Sequence, residues 1–210
     1  MPILKRDRYA IAFHTSTPQL GIAINNYDGD SRSQIWDLGR GLASQLHQHL
    51  LEILAPQTWQ DLEFIAVAKG PGGFTGTRVG VVTARTIAQQ LNVPLFGISN
   101  LAAVAAAQNH VDEKLLAIQM DARREQLFVG IYRVSDLGIQ TYLEDTLMDV
   151  ETWQKTLADL QLPYKLITAE EDLARTVTNV LDLAYADWQQ GKHSHWSQIV
   201  PYYGQHPVAG

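Results

Sequence analysis

The sequence predicts an α/β protein of two lobes, each a mixed sheet flanked by helices. Three observations carry that expectation. One element order, three strands and then helix, strand and helix, can be read in both halves of the chain. Phe64-Ile65-Ala66-Val67-Ala68 is an unbroken apolar run of strand length, as a strand covered on both faces requires. The 210 residues, 46% of them hydrophobic, suit one large domain or two small ones.

The elements follow in order. Tyr9 to His14 and Leu20 to Asn25 are strand-forming runs, and Thr15-Ser16-Thr17-Pro18-Gln19 between them is turn chemistry, so the pair reads as a hairpin. Ser33 to Leu38 supplies a third strand. Arg40 to Leu54 has helical period, with Leu42, Leu46, Leu50, Ile53 and Leu54 on one face and Pro56 as its stop. After the 64–68 strand comes a glycine loop, then a helix over 77–91 ended by Asn92 and Pro94. Pro94 to Ile98 is a short strand, and an alanine-rich helix over 100–109 is capped by Ser99. The second half, from about His110, reads as strands over 115–120, 126–134 and 139–146, a helix over 149–160 and a strand over 164–168. A long helix over 171–190 stops at Gly191, and an extended piece over 198–203 follows. The division is expected at 109/110, giving lobes 1–109 and 110–210 that pack closely.

Composition removes whole classes of function. There is no cysteine, which excludes disulfide frameworks, thiolate metal sites and cysteine nucleophiles. Charged residues make up 18%, with a net charge of −6, the wrong sign for a strongly basic nucleic-acid module. No apolar run reaches the ~18 residues of a membrane span, and the charged start lacks the apolar core of a signal peptide. A folded, soluble, cytoplasmic protein is expected.

The densest signal is Lys69-Gly70-Pro71-Gly72-Gly73-Phe74-Thr75-Gly76-Thr77-Arg78-Val79-Gly80. Gly70, Gly72, Gly73 and Gly76 lie between a strand and a helix, where backbone N–H groups can meet an anion. The named nucleotide motifs fail. Thr77 stands where a Walker A loop needs lysine, and Thr75 where a dinucleotide fingerprint needs glycine. No Asp or Glu occurs from Lys69 to Val111 to meet a ribose. Two readings stay open: a phosphate cradle, or glycines that permit a tight turn and a close approach.

The helix after the loop adds to this. Gly80, Ala84, Ile87, Ala88 and Leu91 form one face, with small residues that allow close approach to the sheet. Val79, Val82, Thr83, Thr86 and Gln90 form the opposite arc. Arg78, Arg85 and Gln89 make only a narrow polar stripe. Such a helix is expected to be covered on two sides, by the sheet and by either another chain or another helix of the same chain.

GPGGFTGTRVG, preceded by AVAKG and followed by VVTARTIAQQLNVPLFGIS, closely resembles the TsaB (YeaZ) family, whose loop usually reads GPGSFTGLRIG. The resemblance extends to Ala10–Ser16, to Leu116–Tyr132 with its Asp121-Ala122-Arg123-Arg124-Glu125, and to Val200-Pro201-Tyr202-Tyr203. It implies the actin-like ATPase superfamily fold, with two ribonuclease H-like lobes. It implies a role in making N6-threonylcarbamoyladenosine (t6A) on tRNA, as the non-catalytic partner of the catalytic subunit TsaD, joined by the ATPase TsaE. It further implies that the helix after the loop forms a helical interface with TsaD, or with a second copy in a homodimer. Under that implication Phe74 anchors the loop, Val79, Val82, Thr83 and Thr86 form the contact face, and Arg78 and Arg85 flank it. No catalytic residue, metal site or tightly bound cofactor is expected. ATP or ADP would belong to the partner complex, tRNA would be met only through that complex, and no membrane is involved.

The departures from the family count against catalysis. His14 stands where the family often has Asp, and histidine cannot supply a hard oxygen ligand for Mg²⁺. Leu42, Ala43 and Ser44 stand where it often has His-Ser-Glu. The competing class is a stand-alone enzyme, a nucleotide phosphohydrolase or a metalloprotease, and the chain has no HExxH. His47 and His49 are two apart, wrong for a helical zinc pair, and His193 and His195 lack a third ligand nearby. Ser16 and Ser99 have no G-x-S-x-G elbow. Asp121 and Glu125 read as solvated or paired with Arg123 and Arg124.

Overall fold

The computed structural model describes residues 3–108, 114–122, 124–135, 138–192 and 194–204. The chain is α/β, with two mixed sheets flanked by helices. The first sheet holds β1 (Tyr9–His14), β2 (Gln19–Asn25), β3 (Ser31–Asp37), β4 (Leu62–Ala68) and β5 (Leu95–Ile98) in the order β3-β2-β1-β4-β5. β1 pairs antiparallel with β2, as does β2 with β3, while β4 runs parallel to both β1 and β5. The second sheet holds β6 (Leu115–Asp121), β7 (Gln126–Ser135), β8 (Gly138–Asp149) and β9 (Tyr164–Thr168) in the order β8-β7-β6-β9. This is the same order, one strand shorter, so the repeat read from the element pattern is a repeat of topology.

Position in the sheet explains each strand's composition. β1 and β4 are interior and layered by helices on both faces, so β1 is buried throughout and β4 at all but Glu63. β3 is an edge, and Arg32, Gln34 and Asp37 line it with polar groups. On one face of the first sheet lie α1 (Leu42–Leu54) and α2 (Phe74–Leu91). The five apolar residues expected on the inner face of α1 are all buried. On the other face lies α5 (Val177–Gln189), over β1, β2, β4 and β5. Meanwhile α3 (Asn100–Ala106) packs against β6, β7 and α5, and α4 (Val150–Ala158) covers the far face of the second sheet through Trp153 and Leu157. The halves therefore exchange helices, since the last helix of the second half covers the first sheet. One apolar cluster joins Ala10, Ala12 and Phe64 with Ile118, Tyr132 and Trp188. The expected division at 109/110 lies outside the described residues.

Several boundaries differ from the sequence expectation: the helix expected over 100–109 ends at Ala106, the strand expected over 139–146 runs from Gly138 to Asp149, and three further differences have a local cause or change an element's type. α2 begins at Phe74, three residues early, because Gly73 rather than Gly76 ends the loop. The helix expected over 171–190 is a 3₁₀ turn, Leu173–Thr176, followed by α5. The piece expected to be extended over 198–203 begins inside a 3₁₀ turn, Trp196–Gln198, and adds no strand to either sheet. The caps agree. Ser99 accepts a hydrogen bond from Ala102 N at 3.0 Å, and Asn92, with φ of 54°, closes α2 in the left-handed conformation.

Candidate functional site

The glycine loop joins the carboxyl end of β4 to α2, next to the carboxyl end of β1. Its glycines face the protein's own backbone. A Cβ on Gly76 would lie well inside 3.0 Å of Thr15 O, and one on Gly72 would lie 2.7 Å from Ser16 Cβ. Gly73 N donates to Ser16 O at 2.7 Å, Asn100 Nδ2 donates to Pro71 O at 2.7 Å, and Asn100 N donates to Gly70 O at 2.9 Å. One turn into the helix, Gly80 makes room for the Thr15 hydroxyl, which donates to Gly76 O at 2.8 Å. Of the two readings of the loop, the geometry favours close approach. The space a phosphate would need beside Gly72 and Gly76 is filled by residues 15 and 16.

His14 ends β1 beneath this loop. Its side chain is fully buried, and Nδ1 accepts from Ser16 N at 3.4 Å. Burial pulls its pKa down to about 3, so the ring is neutral at ordinary pH. Among the described residues His14 Nε2, Ser16 Oγ and Thr77 Oγ1 have no hydrogen-bond partner. A neutral imidazole neither neutralises phosphate charge nor offers a carboxylate to a metal. Among the described residues no group of three His, Cys, Asp or Glu is arranged to hold a metal ion.

The outer face of α2 is an exposed stripe. Phe74 is 58% and Val82 50% exposed, with Arg78 and Thr86 on the same side. Among the described residues no other helix of the chain covers it. Val79 and Arg85 are half-buried on its flanks. Thr83 corrects the expected contact face: it is buried, because it stands about 100° around the helix from Val82, on the margin of the sheet-facing side. Val81, assigned to neither face from the sequence, is fully buried on the inner side.

The remaining candidates disperse. His49 stacks on Trp36 with centroids 4.4 Å apart and its Nδ1 lies 2.7 Å from Glu52, while His47 is exposed. His195 caps a turn by accepting from Ser197 N. Asp121 is exposed, and Arg124 and Glu125 form a turn with positive φ. Arg123 and His193 lie outside the described residues.

A cluster that the sequence reading missed lies between the sheets. A cavity of about 260 Å³ is bordered by Lys69, Ser99, Tyr132, Asp145, Asp187 and Tyr202. Tyr132 donates its hydroxyl proton to Asp145 Oδ1, and Tyr202 donates its own to Asp145 O at 2.7 Å. Burial raises the Asp145 carboxyl, against hydrogen bonds from Ser99 and Tyr132 and the nearby charge of Lys69. No sequence spacing links these residues, since they come from six separate segments of the chain.

Comparison with known proteins follows the same lines. Residues 43–197 match the family model described as "TsaD: tRNA N6-adenosine threonylcarbamoyltransferase". The chain is 33% identical over 158 residues to the tRNA threonylcarbamoyladenosine biosynthesis protein TsaB of Bacillus subtilis, a match spanning 73% of this chain and 67% of that protein. It is 28% identical over 134 residues to TsaB of Escherichia coli, spanning 61% of this chain and 57% of that one. A crystal structure from Pseudomonas aeruginosa, described as an uncharacterized protein with similarity to peptidase YEAZ, superposes with a TM-score of 0.75. It is 22% identical, and the superposition covers 94% of this chain and 100% of that one. The chain belongs to the TsaB (YeaZ) family.

Proposed function

We propose that the chain acts in t6A modification of tRNA as a non-catalytic scaffold subunit. It dimerises with and supports the catalytic subunit TsaD, and TsaE joins the complex. The observation that carries this reading is the outer stripe of α2, where Phe74 and Val82 stand exposed on a helix whose opposite face is locked into the first sheet. The filled glycine loop and the neutral, buried His14 support a non-catalytic role, because neither offers groups for phosphoryl transfer or hydrolysis. The match to the TsaD family model supports a partner of related fold. On this reading tRNA is reached through the complex, ATP or ADP is held within it, and the protein works in the cytoplasm. Among the described residues no helix is long and apolar enough to cross a membrane.

The test is light scattering on a size-exclusion column, with the chain alone and mixed with the TsaD of the same organism. A one-to-one complex that Val82→Glu abolishes is expected. Absence of any complex, even with ATP and TsaE present, overturns the scaffold reading. Turnover of ATP by the chain alone, lost when the 70–76 loop is altered, would replace it with an enzyme.

A further inference from the structure

No residue of α2 lines the cavity between the sheets, and the lining is of two kinds. Ile98, Ala102, Ile139 and Leu183 supply apolar wall from β5, α3, β8 and α5. The polar groups are Lys69, Glu144, Asp145 and Asp187, with the hydroxyls of Tyr132 and Tyr202. A volume of about 260 Å³ is far more than a single water molecule fills. An apolar pocket with a few convergent polar groups is the usual form of a small-molecule site.

The charges around this cavity do not balance. Asp187 is matched by Lys192, whose Nζ lies 2.7 Å from its Oδ1. Asp145 and Glu144 have no such match, since among the described residues neither forms an ion pair. Lys69 is the one basic residue of the described lining. Its charge is felt at Asp145 from beyond ion-pairing distance, and its stem runs beside Gly97, where a Cβ would lie 3.3 Å from Lys69 Cδ. Tyr132 donates to Asp145 Oδ1 and Tyr202 to Asp145 O, which holds the residue in place but brings no positive charge to it. Burial and the neighbouring Glu144 both work against ionisation of Asp145, so a positive group entering the cavity would be stabilised.

An anion suits this lining badly, because its charge would face three carboxyl groups and a single lysine. A bare divalent cation suits it no better. Such an ion needs a close cage of oxygens, and among the described residues no group of three His, Cys, Asp or Glu is arranged to provide one. An ammonium group needs only one or two carboxylates, and a carbon chain behind it would use the apolar wall.

We infer that this cavity is a binding site for a small organic cation, an ammonium group on a short aliphatic stem. The ammonium is held by Asp145 and Glu144, and the stem lies against Ile98, Ile139 and Leu183. The group could arrive on a free alkylamine, or on an aliphatic amino acid whose carboxylate Lys69 receives. The inference is independent of the scaffold reading above.

Methyl NMR of the full chain, labelled at isoleucine and leucine, tests it. The probes are isoamylammonium chloride, L-leucine, inorganic phosphate and MgATP. At least one of the two amines is expected to give saturable shifts of the Ile98, Ile139 and Leu183 methyls. Asp145→Asn, which keeps the shape of the side chain, is expected to weaken binding about tenfold or more. Glu144→Gln, at the exposed rim, is expected to weaken it severalfold at low salt. Lys69→Met identifies the source: an alkylamine binds this variant as well as wild type or better, whereas leucine binds it less tightly. Circular dichroism checks each variant, and if Asp145→Asn does not fold, Glu144→Gln decides alone. The inference is overturned if neither amine gives saturable shifts, if the folded carboxyl variants bind as wild type, or if phosphate or MgATP saturates the same methyls.

Discussion

Thr15 hangs from Gly76: its hydroxyl donates to the Gly76 carbonyl at 2.8 Å, in a notch that has no wall because the next residue along that face of the helix is Gly80. This joint fixes the start of α2 to the end of β1, and it explains why the loop and first turn are rich in glycine. Gly80→Ala is expected to destabilise the fold by about 1–3 kcal/mol, because the buried threonine must move. That exceeds the gain of up to ~1 kcal/mol in helix propensity that alanine brings. Gly76→Ala should cost more, since its Cβ would meet a backbone carbonyl. Urea unfolding of the two variants measures both; a stabilised Gly76→Ala would contradict the joint.

The faces of α2 make a paired prediction. Val82→Glu should change the stability of the isolated chain by less than about 0.5 kcal/mol, because the side chain is half exposed. Thr83→Glu, one residue on, should destabilise it by several times that amount, as a buried carboxylate without a partner does. Thermal melts of the two variants, side by side, read the difference.

His14 predicts a pH dependence. Its folded pKa of about 3 lies below the ordinary histidine value of 6.5, so between these values the unfolded chain binds the extra proton. Stability from this group is complete above pH 6.5 and is lost as pH falls towards 3. The slope approaches about 1.4 kcal/mol per pH unit. His14→Gln should flatten the decline between pH 6.5 and 5 relative to wild type, measured by urea midpoints across that range. A variant whose stability falls as steeply as wild type would refute the assignment.

Tyr202 ties the segment after α5 to the second sheet through its bond to Asp145 O. Tyr202→Phe removes that bond and leaves a partly buried carbonyl unpaired, at a cost of about 1 kcal/mol. Tyr164→Phe, on the exposed edge strand β9, should be neutral within about 0.5 kcal/mol. Chemical denaturation compares the pair.

Much of this architecture was legible because it is local. The leucine period of α1, the apolar run of β4, the Ser99 cap and the Asn92–Pro94 stop each depend on residues within a turn or two of one another. The glycine loop was legible as a special segment, but not in its purpose. Glycine spacing is compatible with a cradle or with close packing, and only the position of Thr15 and Ser16, some sixty residues away, separates the two. Thr83 was misplaced for a related reason. A residue 100° from the centre of a face is a margin position, and which side buries it depends on how the helix is rolled on the sheet.

The order of strands and helices, the repeated topology and the absence of cysteine chemistry were therefore set by composition and short-range periodicity alone. The exchange of α3 and α5 between the halves was decided by tertiary structure, as was the Asp145 cluster that Tyr132 and Tyr202 close. An apolar face needs a cover, but its pattern does not name the cover. That choice is made by the shapes and volumes of surfaces brought together from distant parts of the chain.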